Sequence, residues 1–230
     1  MRVNKDSEGK LAAQRKNFRF LLDPPTGSFR INVDSLQIKG RIQLDEQKSL
    51  RLQLLPKTEI YGLGAFAGRK DRNEGQYRLR TTDTLFYKTK GESYSAFPFL
   101  FFRNEQQCFA IFINTTYPLD FQIDDNVNEG LEVQVSHYRP SHDNFEPTGL
   151  DLIVFTGSPA DIFRSYAQLT GQPFLPPVWA LGYHQSRWSY SSQDAVLHIA
   201  ETARKHNLPI DAIHLDIDYM DRYRVFTWNH

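Results

Sequence analysis

The chain has 230 residues, room for one or two domains, and its 27 basic and 27 acidic side chains cancel. With no net positive charge it lacks the field that grips a nucleic-acid backbone or an anionic membrane, so neither is an expected partner. Hydrophobic residues at 40% and charged residues at 23% are a globular balance, and no apolar run approaches the ~18 residues that cross a bilayer.

Residues 1–17 carry charges but no apolar h-region, which predicts a flexible tail, no signal peptide and a cytoplasmic location. From residue 18 to residue 157 the apolar period is two. Leu50, Leu52 and Leu54 alternate with Arg51 and Gln53, and Leu131, Val133 and Val135 alternate with Glu132 and Gln134. Turn signals punctuate these strands at Asp23-Pro24-Pro25-Thr26-Gly27, Asn73-Glu74-Gly75, Asn128-Glu129-Gly130 and Glu146-Pro147-Thr148-Gly149. Short strands at this spacing without helices between them predict an antiparallel β-sandwich over 18–157. The polar stretch Arg69 to Arg80 reads as a long loop. Cys108, the single cysteine, excludes an intrachain disulfide framework and reads as a small buried hydrophobe within Cys108-Phe109-Ala110-Ile111-Phe112-Ile113.

At Ser158 the period changes. Ser158-Pro159-Ala160-Asp161 is a helix start, Ile162, Phe163, Tyr166 and Leu169 share a face, and Gly171 stops the helix. This linker helix and the Pro-rich joint Pro173 to Pro177 fill 158–177. The remainder, 178–230, alternates in the α/β manner. Val178 to Tyr183 reads as a buried strand, Ala195 to Ala203 as a helical stripe entered from Ser191, and Ile210 to Ile217 as a second buried strand. Together they predict one βαβ unit.

The densest chemistry is Leu215-Asp216-Ile217-Asp218-Tyr219-Met220-Asp221, at the end of a parallel strand where α/β folds bind ligands. If the strand ran that far, Asp216 and Asp218 would share a face at roughly 6.6 Å. A solvated strand end with salt bridges is the plain alternative. A calcium loop counted from Asp216 fails, because Met220 and Asp221 stand where ligand and glycine belong and Thr227 where glutamate belongs. A haloacid-dehalogenase phosphatase wants Thr or Val at Met220. A manganese-chelating D-x-D glycosyltransferase stays open, and so does glycoside hydrolysis, where carboxylates take sugar hydroxyls. The neighbouring His184-Gln185-Ser186-Arg187-Trp188-Ser189-Tyr190 favours sugar: Trp188 offers an apolar face to a pyranose, or else packs on the following helix.

Trp179-Ala180-Leu181-Gly182-Tyr183-His184-Gln185-Ser186-Arg187-Trp188-Ser189-Tyr190, Leu208 through Asp221, and Phe226-Thr227-Trp228 resemble glycoside hydrolase family 31, the α-glucosidase type. Upstream, Ile60-Tyr61-Gly62-Leu63-Gly64 and Thr81-Thr82-Asp83 are similar to the family's Y-G-x-G-E and N-T-D segments, with Ala65 replacing the glutamate and Thr81 the asparagine. The resemblance implies a galactose-mutarotase-like sandwich followed by the first βαβ unit of an incomplete (β/α)8 barrel. It implies a retaining exo-α-glucosidase acting on terminal α-linked glucose, with an oligosaccharide or α-glucoside substrate and neither metal nor organic cofactor. Asp216 would contact glucose hydroxyls, Trp188 would line the same pocket, and Asp83 would reach it from the sandwich. Asp218, Arg187 and His184 would support that site, and His214 would be a core or barrel-interior residue.

The family's nucleophile lies in a W-x-D-M-N-E segment and its acid/base aspartate further on, and residues 1–230 contain neither. A barrel of ~250 residues is far from complete in 178–230, so catalysis is expected to require the missing barrel segment and this chain alone to be inactive. Asp216 and Asp218 cannot stand in, because neighbours on one strand lie on one side of the sugar. A non-catalytic carbohydrate-binding or subunit-like protein built on the sandwich is the rival reading.

Overall fold

The computed structural model describes residues 3–5, 9–15, 18–33, 36–43, 49–64, 72, 74–83, 92–126, 130–137 and 151–229. Ala65 and the turn at Glu146 to Gly149 lie outside them. The chain divides into two compact units, Met1–Thr170 and Gly171–His230.

In the first unit the strands are β1 (Val3–Lys5), β2 (Leu11–Arg15), β3 (Phe18–Asp23), β4 (Ser28–Val33), β5 (Leu36–Gln43), β6 (Ser49–Leu54) and β7 (Glu59–Leu63). They continue with β8 (Gly75–Thr81), β9 (Glu92–Ser93), β10 (Phe97–Arg103), β11 (Cys108–Ile113), β12 (Leu119–Asn126), β13 (Gly130–His137) and β14 (Leu152–Thr156). One sheet runs β1-β2-β3-β4-β5-β6-β13-β12-β8-β9 and a second runs β14-β11-β10-β7. All these pairings are antiparallel except β8 with β9.

Two expectations are corrected here. Residues 1–17, read as a flexible tail, contain β1 and β2, and β2 pairs with β3 from Leu11 opposite Leu22 to Arg15 opposite Phe18. The pairing buries Ala13 in the sheet. The stretch Arg69 to Arg80, read as a loop, carries β8 from Gly75 onward, because Tyr77 and Leu79 alternate inward between outward-facing polar residues.

The period-two pattern explains the sandwich. Ile38, Leu52, Phe121 and Val133 from the larger sheet share a core with Ile60, Leu63, Phe102, Phe109 and Ile111 from the smaller. Gly62 holds φ +124°, and a Cβ there would stand 2.1 Å from the Phe99 carbonyl oxygen, so β7 can lie against β10 only with glycine at this point.

Strand β10 uses both faces: Leu100 and Phe102 enter the sandwich core, while Phe99 and Phe101 join Phe155 and Ile162 in a second cluster. Ile162 belongs to α1 (Pro159–Thr170), which covers that outer face, with Tyr166 4.5 Å from the Phe99 ring centroid. Cys108 is partly buried at the edge of this cluster, and burial pushes its thiol pKa up while Arg103 pulls it down.

The helix start follows its sequence. Ser158 Oγ accepts from the Asp161 amide at 3.3 Å and donates to Asp161 Oδ2 at 2.5 Å, and Arg164 donates to the other carboxylate oxygen. The Ser158 hydrogen bond is the largest cause holding the Asp161 pKa below its ordinary value, with Arg164 next. A depressed carboxylate contributes stability in full above the ordinary Asp value and loses it as the pH falls through its folded pKa. Ser158→Ala should therefore lower the thermal midpoint at pH 7 by roughly 2–4 °C. Melts run down through pH ~4 should show the gap from wild type narrowing.

The second unit departs from its predicted boundaries. Val178–Leu181, expected as a buried strand, is a 3-10 turn, with the Ala180 amide donating to Pro177 O and Gly182 to Trp179 O. Pro177 holds extended backbone at its start and Gly182 ends it, and Val178 and Leu181 are exposed. The strands are the shorter β15 (His184–Ser186) and β16 (Ala212–His214), paired in parallel, with α2 (Gln193–Lys205) between them. Parallel pairing and the intervening helix are as expected, and Ser192, next to the predicted Ser191, caps α2 by accepting from the Ala195 amide.

Candidate functional site

Strand β16 ends earlier than the sequence suggested, and Asp216 shows why. Its Oδ1 accepts from the Ile217 amide at 2.7 Å, capping a 3-10 turn over Ile217–Tyr219. The backbone therefore leaves the sheet before Asp216, and the strand-face spacing expected for Asp216 and Asp218 does not apply. Both residues instead border one cavity of about 590 Å³. Tyr219, Trp228, Asn229 and the start of α2 complete its wall, together with Tyr190, whose hydroxyl is shut off from solvent and has no partner among the described residues.

The turn is held from behind by its downstream neighbours. The Asn229 side-chain amide donates to Asp218 O at 2.7 Å, its backbone amide donates to Tyr219 O at 2.9 Å, and the Asp221 amide donates to Thr227 Oγ1 at 3.0 Å. Asp218 thus supports the turn through its backbone carbonyl. Its carboxylate makes no hydrogen bond or ion pair among the described residues, and neither does Oδ2 of Asp216. Oδ2 of Asp216 and the Asp218 carboxylate, on residues that line the cavity, are acceptors for hydroxyls or ammonium groups.

Behind the site two histidines tie β15 to β16. His184 Nε2 lies 3.3 Å from the Trp179 carbonyl, which can only accept, so Nε2 carries the proton in the neutral ring. Nδ1 of His184 then accepts from Nε2 of His214 at 2.8 Å. Trp179 stacks on His184 and His184 on His214, at 6.0 and 5.0 Å between centroids. The expected core or barrel-interior His214 is in this unit an exposed residue. At the strand start, Asp211 clips β16 to the preceding turn, since its Oδ2 accepts from the Tyr183 amide and its own amide donates to Tyr183 O.

The other predicted site residues are more scattered. Trp188 is 78% exposed and does not line the cavity around Asp216. Arg187 is exposed with no ion pair among the described residues. Asp83, in the first unit, is exposed and accepts from the Tyr94 hydroxyl at 2.5 Å. Sequence reasoning gave no role to Tyr190, Tyr219, Trp228 or Asn229. Their signal was slight, an aromatic beside Asp218 and a Trp-Asn pair soon after the carboxylate run. Among the described residues no group of three or more His, Cys, Asp or Glu stands where it could hold a metal ion.

A two-sheet antiparallel sandwich ahead of a parallel strand–helix–strand unit, with carboxylates at the strand end, is the architecture of enzymes that join a mutarotase-like domain to an α/β barrel. Residues 5–122 match the glycosyl hydrolase 31 N-terminal galactose mutarotase-like domain, and residues 173–230 match the family's TIM-barrel domain. The chain belongs to glycosyl hydrolase family 31. It is 34% identical over 174 residues to α-glucosidase 2 of Bacillus thermoamyloliquefaciens, a match covering 74% of this chain and 21% of that protein. Over 81 residues it is 48% identical to human neutral α-glucosidase AB, 35% of this chain and 9% of that one. The solved glucosidase II α subunit bound to Glc1Man2 superimposes with a TM-score of 0.80 at 22% identity, over 99% of this chain and 30% of that chain, a likeness of fold. The matched stretches thus span from 9% to 30% of the length of these longer relatives.

Proposed function

We propose that this chain supplies part of the glucose-recognition site of a retaining exo-α-glucosidase that removes terminal α-linked glucose in carbohydrate metabolism. The observation that carries the reading is the pair Asp216 and Asp218 on one cavity just beyond the end of a parallel strand in a family-31 chain, with Oδ2 of Asp216 and the Asp218 carboxylate making no bond among the described residues. In the reaction, Asp216 orients hydroxyls of the non-reducing glucose, and carboxylates elsewhere in the barrel serve as nucleophile and acid/base. Residues 1–230 hold no W-x-D-M-N-E segment, so the covalent step is not theirs to perform.

Binding separates this reading from its rivals. Titrated calorimetrically in the presence of EDTA, the chain should take up 1-deoxynojirimycin saturably and release no p-nitrophenol from p-nitrophenyl α-glucoside. Saturable uptake of UDP-glucose only with manganese would support a glycosyltransferase instead. Sugar binding that survives removal of residues 171–230 would place recognition in the sandwich.

A further inference from the structure

The sheet of the second unit is only two strands wide, with His184–Ser186 of β15 facing Ala212–His214 of β16. Across it, Nε2 of His214 donates to Nδ1 of His184 at 2.8 Å, and Nε2 of His184 donates to the Trp179 carbonyl. The rings of Trp179, His184 and His214 stack in that order. A side-chain bond thus reinforces a very short backbone ladder, and it ends on His214, two residues before Asp216 and its turn.

This bond depends on protonation state. A neutral imidazole offers one acceptor nitrogen and a protonated one offers none. With Nε2 of His184 committed to Trp179, Nδ1 is the acceptor it has left. A first proton can settle on Nδ1 of His214, which has no partner among the described residues, and the bond survives with a charged donor. A second must go to Nδ1 of His184, where it sets two N–H groups and two like charges against each other. The surroundings do not bond to that charge. The turn Val178–Leu181 and the two strands carry no other charged side chain. Asp211 accepts from the Tyr183 amide and Asp216 from the Ile217 amide. Arg187 beyond β15, and Asp194, His198, Glu201, Arg204 and Lys205 on α2, make no hydrogen bond or ion pair with either ring among the described residues.

We propose that His184 and His214 form an acid-sensitive clasp, which holds β16 to β15 while His184 is neutral and lets go when both rings are protonated. Its contribution to the sheet is full at neutral pH and is lost in acid, below the ~6.5 at which a free histidine titrates. Because β16 leads directly into the Asp216 turn, acid loosens the strand from which that turn springs. The clasp does not depend on which ligand the cavity takes.

In the full chain, amide protection at 184–186 and 212–214 should fall about fivefold or more relative to the sandwich core between pH ~7.5 and pH ~4.5, the weight of one lost hydrogen bond. Nitrogen-15 spectra of the wild-type chain should show the Nε2–H tautomer of His184 at the upper pH and a proton arriving on its Nδ1 as protection is lost. His184→Asn sets a non-titrating amide oxygen in place of Nδ1, so its protection should hold within about twofold over the same range. His214→Gln keeps an N–H donor and leaves the titrating acceptor, so its protection should fall as that of the wild type does. Wild-type protection that holds in acid, or that falls with no proton gained by Nδ1 of His184, overturns the clasp, and the wild-type spectra need no substitution. Acid loosening of His184→Asn as large as in the wild type, or none in His214→Gln, overturns it equally.

Discussion

Amide hydrogens of residues 171–229 should exchange at least about a hundredfold faster than those of the sandwich core, in a monomeric chain at neutral pH. The cause is the distribution of buried apolar surface. In the first unit Ile60, Phe102, Ile123 and Val133 are fully buried in the core between the two sheets, and a helix buries a second cluster on the outer face of β10. In Gly171–His230 Ala203 is the one buried hydrophobic among the described residues, while Phe174, Leu175, Val178, Leu181, Val225 and Phe226 are largely bare. Each strand of its sheet pairs with a single neighbour over three residues, so few hydrogen bonds oppose local opening. An opening free energy of about 2–3 kcal/mol would still leave the cavity formed in more than about nine tenths of molecules, enough for ligand binding. Exchange read by mass spectrometry should show the boundary near Thr170, with α1 protected alongside the sandwich because Ile162 and Tyr166 pack onto β10. Equal protection on both sides of Thr170 would refute this account.

The contrast between the two units also explains what the sequence disclosed. Leu50, Leu52 and Leu54 alternate because one face of β6 meets the other sheet, and all three are buried. Alternation of that kind is visible in any single strand, so the sandwich was legible without knowing which strands pair. In β1 and β2 the pattern is weak because among their described side chains Ala13 alone is buried, and pairing to β3 was invisible from within the segment. Val178 to Tyr183 misled for the opposite reason. A short apolar run fits a buried strand and a 3-10 turn equally, and here the Pro177 start and the Gly182 stop decided the outcome.

At the site, residue identity was legible and geometry was not. Asp216 and Asp218 stood out as a carboxylate run, and they do share a cavity. They reach it from a turn because Asp216 captures the amide that follows it, a local bond that competes with continued strand. Trp228 and Asn229 line the same cavity, and Asn229 bonds back to Asp218 and Tyr219, the former eleven positions away, a closure that no local pattern announces.

The division of labour between the two carboxylates can be separated by substitution. Asp216→Asn keeps an oxygen that accepts from the Ile217 amide, so the turn and the melting temperature should be preserved, yet it removes the charge offered to the sugar. Charge-assisted bonds of this kind contribute about 1.5–3 kcal/mol each, so affinity for 1-deoxynojirimycin should fall by about tenfold to a hundredfold. Asp216→Ala should lose the same affinity and also some stability, on the order of 0.5–1 kcal/mol, because the Ile217 amide loses its cap. Asp218→Ala should leave the melt unchanged, since it is the Asp218 carbonyl that holds Asn229, and should weaken binding through its unpartnered carboxylate alone. Joined to the remainder of a family-31 barrel, Asp216→Asn should lower kcat/KM by a similar factor, while a mechanism-based label should still find its nucleophile. Wild-type affinity in Asp216→Asn, or labelling of Asp216 itself, would remove it from the role of hydroxyl acceptor.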